Sequence, residues 1–107
     1  MQIPTHRPPT HPGEMLLEDF LVPLGMTQQN LAQRIHVSYP RVNELIHGKR
    51  GVTPDTAWRL AKLFGTTAQF WLNGQLLHDL YSYAHSPQSA ELERIQPLGD
   101  SRLANPK

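Results

Sequence analysis

The spacing of apolar residues between residues 28 and 46 constrains the fold of this chain more than any other feature of its sequence. Counted from Gln28 as the first position, apolar residues occupy positions 4, 5, 8, 10, 15 and 18, namely Leu31, Ala32, Ile35, Val37, Val42 and Leu45. Within each half these residues recur at helical intervals, so each half is expected to form a short helix with one buried stripe. The small side chain of Ala32 lets the second helix cross the first closely.

The residues between the two predicted helices have to form a tight turn. The turn position that usually holds glycine, because the backbone there is left-handed, is occupied by His36. Histidine is one of the residues that tolerate this conformation, at some energetic cost. Two short helices, a small residue at their crossing and a tight turn together predict a helix-turn-helix.

The same periodicity extends along the chain and predicts five helices, over residues 12–22, 28–35, 39–47, 54–64 and 68–84. Capping residues precede four of them: Thr27, Ser38, Thr53 and Thr67. In the first helix one buried stripe is expected from Leu17, Phe20, Leu21 and Leu24, with Pro23 and Gly25 ending the helix. Gly48 and Gly65 stand where helices commonly end. The predicted fold is all-α.

Proline divides the chain into a folded centre and two flanks. The chain has ten prolines, and most lie within residues 4–12 and 87–106. We therefore expect an extended N-terminal flank over residues 1–11 and a helix-turn-helix domain over residues 12–85. A mobile or weakly structured tail is expected over residues 86–107.

The predicted helix over residues 68–84 is apolar around most of its circumference. Such a helix has to bury more than one face, and a chain of this length has room for one core. We therefore expect the second face to meet another subunit. The candidate dimer-interface residues are Phe70, Trp71, Leu76, Leu77, Leu80 and Tyr81.

Positive charge is concentrated in the centre of the chain. Residues 27–65 carry six basic and two acidic side chains, a net charge of +4, although the whole chain has only +1. A clustered basic face is typical of proteins that bind phosphates, and a solvated helical surface would give the same count.

Composition excludes several other classes of protein. Cysteine is absent, which excludes disulfides, thiolate metal sites and thiol catalysis. No apolar run approaches the roughly 20 residues of a membrane span, and the N-terminus lacks an apolar signal core. These features predict a cytoplasmic protein that does not span a membrane.

The polar face of the predicted third helix is the candidate surface for reading double-stranded DNA. With Val42, Leu45 and Ile46 facing inward, the opposite face would enter the major groove. The candidate DNA-binding residues of this helix and its flanks are Ser38, Tyr39, Pro40, Arg41, Asn43, Glu44 and His47.

The residue types on this face suit particular base edges. Asn43 is suited to pair with adenine, and Arg41 with guanine or with a phosphate. Tyr39 is suited to a thymine methyl group or a phosphate. Glu44 would either accept a hydrogen bond from cytosine or repel other sequences.

Further candidates would hold the DNA backbone without reading sequence. Thr27 and Gln28 lie at the positive end of the second predicted helix, where a phosphate is favoured. Lys49 and Arg50, just beyond the third predicted helix, are expected to contact phosphates.

Three blocks of sequence closely resemble the HigA/VapI-type antitoxin family. They are RPPTHPGEML at residues 7–16, RVNELIHGKRGVT at 41–53 and TPDTAWRLAKLFGTTAQFWLN at 53–73. The likeness covers roughly residues 5–85. It implies a five-helix, lambda-repressor-like helix-turn-helix domain of the Cro/repressor class, known as the XRE family.

The resemblance also implies function and partners. Proteins of this family form homodimers that repress their own operon, and their partner is a RelE-like toxin, an mRNA endonuclease that the antitoxin neutralises. Paired recognition helices about 34 Å apart imply an inverted-repeat operator. No cofactor and no metal is implied.

Three alternatives differ from this interpretation. The six histidines suggest an enzyme or a zinc site, but no pair has the i, i+4 spacing of a helical zinc site and no nucleophile–base set is visible. A protein-interaction module that has lost DNA binding is disfavoured by the polar and basic residues kept on the predicted face. A stand-alone transcriptional regulator without a toxin would share the whole motif.

Overall fold

Five helices followed by one 3-10 helix make up the part of the chain described by the computed structural model, residues 8–99. Helix α1 spans residues 12–24, α2 is Gln28–Ile35, α3 is Tyr39–Ile46, α4 is Pro54–Phe64 and α5 is Ala68–Ala84. The 3-10 helix is Pro87–Arg94. The all-α, five-helix prediction is confirmed, with α3 ending one residue earlier than expected.

Hydroxyl side chains cap the N-termini of four of these helices, as the sequence predicted. The side-chain oxygens of Thr27, Ser38, Thr53 and Thr67 each accept a hydrogen bond from a backbone N–H three residues later. Each bond satisfies a donor that the first helical turn would otherwise leave unpaired.

Helix α1 differs from the prediction in its geometry and in its end. It continues to Leu24 through a π-helical segment, Leu16–Leu21, so Pro23 lies inside the helix. A proline ring clashes with the carbonyl four residues earlier in an α-helix, and a wider π turn relieves that clash. The amide of Val22 accordingly bonds to the carbonyl of Leu17, five residues back.

The π turn also changes which face of α1 is buried. Leu16 and Leu21, five residues apart, are fully buried, whereas Leu24 is 60% exposed and Leu17 and Phe20 are half-buried. The predicted stripe was therefore wrong at Leu24 and missed Leu16, because it assumed 3.6 residues per turn throughout.

All five helices contribute buried side chains to one core, and Trp71 of α5 is among its largest fully buried residues. Trp71 is 0% exposed, its Nε1 donates to the Thr66 hydroxyl at 2.8 Å, and its ring packs on Phe20 at a centroid distance of 5.1 Å. Its assignment to a subunit interface was therefore wrong, because the protomer's own core already covers it. The other five candidate interface residues keep exposed or partly exposed surface.

The two flanks differ in how far they are described. Residues 8–11 form no regular structure, and residues 87–94 of the predicted tail form the 3-10 helix. The remainder of the predicted flank and tail, residues 1–7 and 100–107, lies outside the described residues. Within residues 8–99, no helix combines the length and apolar character that crossing a membrane requires.

Helices α1 and α3 cross very closely at Gly13. A Cβ atom placed on Gly13 would lie 1.8 Å from the carbonyl oxygen of Leu45, so the backbones of α1 and α3 touch there. Only glycine allows this approach, and through it α1 sets the position of α3.

We predict that Gly13→Ala destabilises the protein by about 1–3 kcal/mol or more, because backbone atoms must move apart. Gly74→Ala is the matched control. Its Cβ would meet only the Pro12 ring at 3.4 Å, so the gain in helix propensity should raise stability by up to about 1 kcal/mol. Urea denaturation of both variants tests this, and equal stabilities would contradict the close crossing.

His11 caps α1 and contacts α5. Its Nδ1 accepts a hydrogen bond from the Gly13 amide at 2.9 Å. Its ring and the His78 ring pack edge to face, with their centroids 4.8 Å apart. Burial, and secondarily His78, lower the pKa of His11 below 6.5, against smaller opposite effects of Asp79 and Glu14. Protonation of Nδ1 would remove the acceptor that holds the cap.

We predict that stability falls as the pH drops through 6.5 towards the lowered pKa of His11. In that window the unfolded chain binds more protons than the folded one, so acid favours unfolding. His11→Asn keeps a capping oxygen without titrating and should flatten this part of the pH profile of Tm. His85→Asn is the control and should retain the parent slope; a full slope in His11→Asn would contradict the assignment.

Candidate nucleic-acid interface

The turn between α2 and α3 has the left-handed backbone that the sequence predicted. His36 has φ of 60°, the one positive φ among the non-glycine residues of the described range. Its neighbour Val37 donates its amide to the Ala32 carbonyl at 3.0 Å. Arg59 of α4 donates to the carbonyl oxygen of Ile35 at 2.8 Å, which ties the turn to α4.

Helix α3 buries one face and presents the other. Val42, Leu45 and Ile46 are buried as predicted. Seven of the eleven candidate DNA-binding residues are exposed: Thr27, Ser38, Tyr39, Pro40, His47, Lys49 and Arg50. The other four are partly buried: Gln28, Arg41, Asn43 and Glu44. The outer surface of α3 is thus polar and accessible at its N-terminal end.

A hydrogen bond between two amide side chains joins α2 to α3. Asn43 Nδ2 donates to Gln28 Oε1 at 3.0 Å. The bond leaves the side-chain oxygen Oδ1 of Asn43 and its second side-chain N–H without a partner in the described residues, together with both side-chain N–H groups of Gln28. Asn43 is therefore held in one orientation while keeping the donor and acceptor that face adenine in bidentate pairing.

Arg41 is engaged within the protomer. Its guanidinium donates to the Asp55 carboxylate at 2.6 Å and to the buried Thr56 hydroxyl at 2.7 Å, both in α4. Hydrogen bonds from Arg41 and then from Arg59 lower the pKa of Asp55, so the carboxylate stays ionised at neutral pH. In this geometry Nη2 of Arg41 fixes the start of α3 against α4, while Nη1 has no partner among the described residues.

The segment after α3 carries two basic residues, Lys49 and Arg50, which we call the basic rim of the site. Arg50 bonds to the Glu44 carboxylate at 3.0 Å, whereas Lys49 makes no ion pair with any described residue. The backbone beyond them is anchored where the Val52 amide donates to Gln75 Oε1 of α5 at 2.8 Å. Glu44 is thus occupied by Arg50, and Lys49 is the freer cation.

His47 presents one ring nitrogen outward. Its Nδ1 lies 2.8 Å from the backbone carbonyl oxygen of Asn43. Since a carbonyl oxygen only accepts, this contact is a hydrogen bond in the tautomer that carries its proton on Nδ1, and that tautomer offers Nε2 as an acceptor. Such an acceptor matches the exocyclic amino groups of cytosine and adenine in the major groove.

Thr27 and Ser38 use their side-chain oxygens as helix caps, at 3.0 Å and 3.2 Å from the capped amides. Each hydroxyl keeps its proton for donation, and a phosphate oxygen is a suitable acceptor for it. Both capped termini lie next to the face of α3 described above. Within the described range, no group of three or more histidine, aspartate and glutamate side chains is arranged to hold a metal ion.

Sequence reasoning missed four residues that position this surface: Asp55, Thr56, Arg59 and Gln75. One signal was available, because Asp55 and Arg59 are four residues apart on one helix and form an ion pair at 3.0 Å. The partners of Arg41 and Val52 lie 14 and 23 residues away, and no local pattern points to them.

Comparison with known proteins places this geometry in a family. A helix-turn-helix family model matches residues 17–71. Virulence-associated protein I of Dichelobacter nodosus is 44% identical over 92% of each chain, and antitoxin HigA-1 of Vibrio cholerae is 40% identical over 88% of each.

A solved structure, the Pseudomonas aeruginosa antitoxin HigA with the higBA promoter, is 37% identical with a TM-score of 0.79. The match covers 84% of this chain and 98% of that one. On this identity, coverage and shared fold, the chain belongs to the helix-turn-helix family and, within it, to the HigA/VapI-type antitoxins.

Proposed function

We propose that this protein is a transcriptional repressor that binds an inverted-repeat operator in double-stranded DNA as a homodimer. The observation that carries the proposal is the exposed polar face of α3, on which Asn43 is oriented by Gln28 beside a basic rim. The solved relative with promoter DNA supports it. The function would be exercised in the cytoplasm.

We assign base reading to Asn43, His47 and Tyr39, which share the accessible surface of α3. Asn43 would take adenine, His47 Nε2 an exocyclic amino group, and Tyr39 a thymine methyl group or a phosphate. Pro40 would make apolar contact beside them. Arg41 acts as a positioning residue through Asp55 and Thr56, which revises the role expected from the sequence.

The remaining candidates hold the DNA backbone. Lys49 and Arg50 supply positive charge, and Glu44 keeps Arg50 in place. Gln28, Thr27 and Ser38 supply neutral donors at two helix N-termini, where the helix dipole also favours a phosphate.

The exposed face of α5 supports the homodimer. Phe70, Leu76 and Leu80 are 41%, 43% and 38% exposed, and Leu77 and Tyr81 are partly exposed. The 3-10 helix and the residues after it add Leu92 and Ile95, 50% and 67% exposed. Burying this surface in a symmetric pair would place two α3 helices for successive major grooves, about 34 Å apart.

We predict that the affinity for DNA upstream of the gene falls as the salt concentration rises. A plot of log association constant against log salt concentration should have a slope of roughly −5, because a dimer would neutralise about six phosphates. Lys49→Ala should weaken binding to all sequences and reduce the slope by about 2 units per dimer. Asn43→Ala should instead cost about 1–3 kcal/mol at one base pair per half-site and relax specificity there.

Electrophoretic mobility shifts and fluorescence anisotropy measure these effects and give the stoichiometry, expected to be two chains per operator. Lys62→Ala, which removes an exposed cation of α4 outside the proposed DNA and dimer surfaces, is the control and should bind as the parent does. A slope near zero, or unchanged specificity in Asn43→Ala, would contradict the proposed interface.

We further propose that the protein is the antitoxin of a RelE-like mRNA endonuclease. The family resemblance and the name of the Vibrio cholerae relative support this role. We predict that the product of the adjacent gene arrests growth when expressed alone and that co-expression of this protein restores growth. An adjacent product without toxicity, or toxicity that this protein does not relieve, would favour a stand-alone regulator.

A further inference from the structure

A concave surface on the side of the domain is separate from both proposed interfaces. It is a shallow, open depression of about 520 Å³ between the end of α2 and the outer face of α4. We call it the Trp58 pocket, and it is lined by Trp58, Ile35, Leu63 and His36 together with the charged side chains of Arg34, Asp55, Arg59 and Lys62. None of the eleven candidate DNA-binding residues and none of the α5 dimer residues lines it.

Trp58 is the unusual side chain of this pocket. It is 68% exposed, whereas its neighbours on α4, Ala57 and Leu60, are fully buried. An exposed tryptophan beside a cavity is unfavourable in water and is the residue type most enriched at the energetic centres of protein interfaces. Because most of its surface is exposed, Trp58 contributes little to the packing of the core.

Some charged side chains around the pocket are paired with each other, and two cations are not. The carboxylate of Asp55 is occupied by Arg41 and Arg59, and Arg59 also bonds to the carbonyl oxygen of Ile35. Arg34 donates one hydrogen bond, from Nε to Asn30 Oδ1 at 2.9 Å. Neither Arg34 nor Lys62 makes an ion pair with a described residue. Two uncompensated cations therefore stand at the rim.

The floor of the pocket is apolar. Ile35 is buried and Leu63 is partly buried beneath the open volume. This volume is within the range of small-ligand sites and is ample for one or two apolar side chains. A phosphate backbone would use the cations and leave the apolar floor unfilled, so the combination favours a protein segment.

We propose that the Trp58 pocket is a docking site for an acidic segment of a partner protein. An aromatic or aliphatic side chain of that segment packs on Trp58 and the apolar floor, and flanking carboxylates pair with Arg34 and Lys62. The proposal does not rest on DNA binding, because no residue proposed to contact DNA lines the pocket; Asp55 and Arg59, which position α3 and the turn, are not used to bind the segment.

Intrinsic fluorescence of the full chain tests this directly. Trp58 is solvent-exposed and Trp71 is buried, so a bound peptide should shift the emission of Trp58 to the blue while Trp71 stays constant. The probes are capped peptides EDGXLGED with Phe, Trp or Leu at X, the tryptophan peptide being followed by calorimetry. KKGFLGKK and EDGSSGED are the control peptides.

The expected result is saturable binding of at least one acidic peptide and none of the controls. Lys62→Glu should weaken that binding by about tenfold or more while leaving operator binding within about twofold. Lys49→Glu is the matched charge reversal and should do the opposite. Trp58→Ala, followed by calorimetry, should abolish peptide binding without lowering Tm, since this side chain is outside the core.

Four results would overturn the proposal. They are absence of binding by every acidic peptide, binding that Lys62→Glu does not weaken, loss of operator affinity in Trp58→Ala, and a blue shift on concentrating the protein alone. The third would make the pocket part of the DNA interface, and the fourth would make it a contact between copies of this chain. Failure of operator binding in the parent protein would instead count against the proposed repressor.

Discussion

The packing of α1 and α2 against α3, together with hydrogen bonds from α3 to α4, is the constraint on which the rest of this structure depends. Helix α3 has eight residues, which is too short for a helix to be stable alone in water. Its orientation comes from its neighbours, through the Gly13 approach to Leu45 and the burial of Val42, Leu45 and Ile46. The polar face is displayed because three apolar side chains are held inward.

Two polar connections then set the position of α3 more finely. Asn43 is bonded to Gln28 of α2, and Arg41 is bonded to Asp55 and Thr56 of α4. A helix held only by an apolar stripe can rotate slightly at little cost. Hydrogen bonds to defined partners allow much less rotation, because they depend on distance and angle. Side chains that read bases need this precision, because bidentate pairing has strict geometry.

The domain separates its surfaces by chemistry. The α3 face is polar and rimmed by Lys49 and Arg50, the α5 face is apolar, and the Trp58 pocket combines an apolar floor with two free cations. The proposed DNA-binding and partner-binding functions use different surfaces among these three. Binding on one of them then leaves the others accessible.

The sequence by itself determined the helices, their caps and the turn, because these depend on interactions between residues a few positions apart. Thr27, Ser38, Thr53 and Thr67 cap as predicted, and His36 adopts the left-handed turn. The tertiary structure alone decided the π turn in α1, the burial of Trp71 and the engagement of Arg41 with α4. These depend on contacts distant in sequence or on accommodating Pro23 within a packed helix, and a periodic pattern contains neither kind of information.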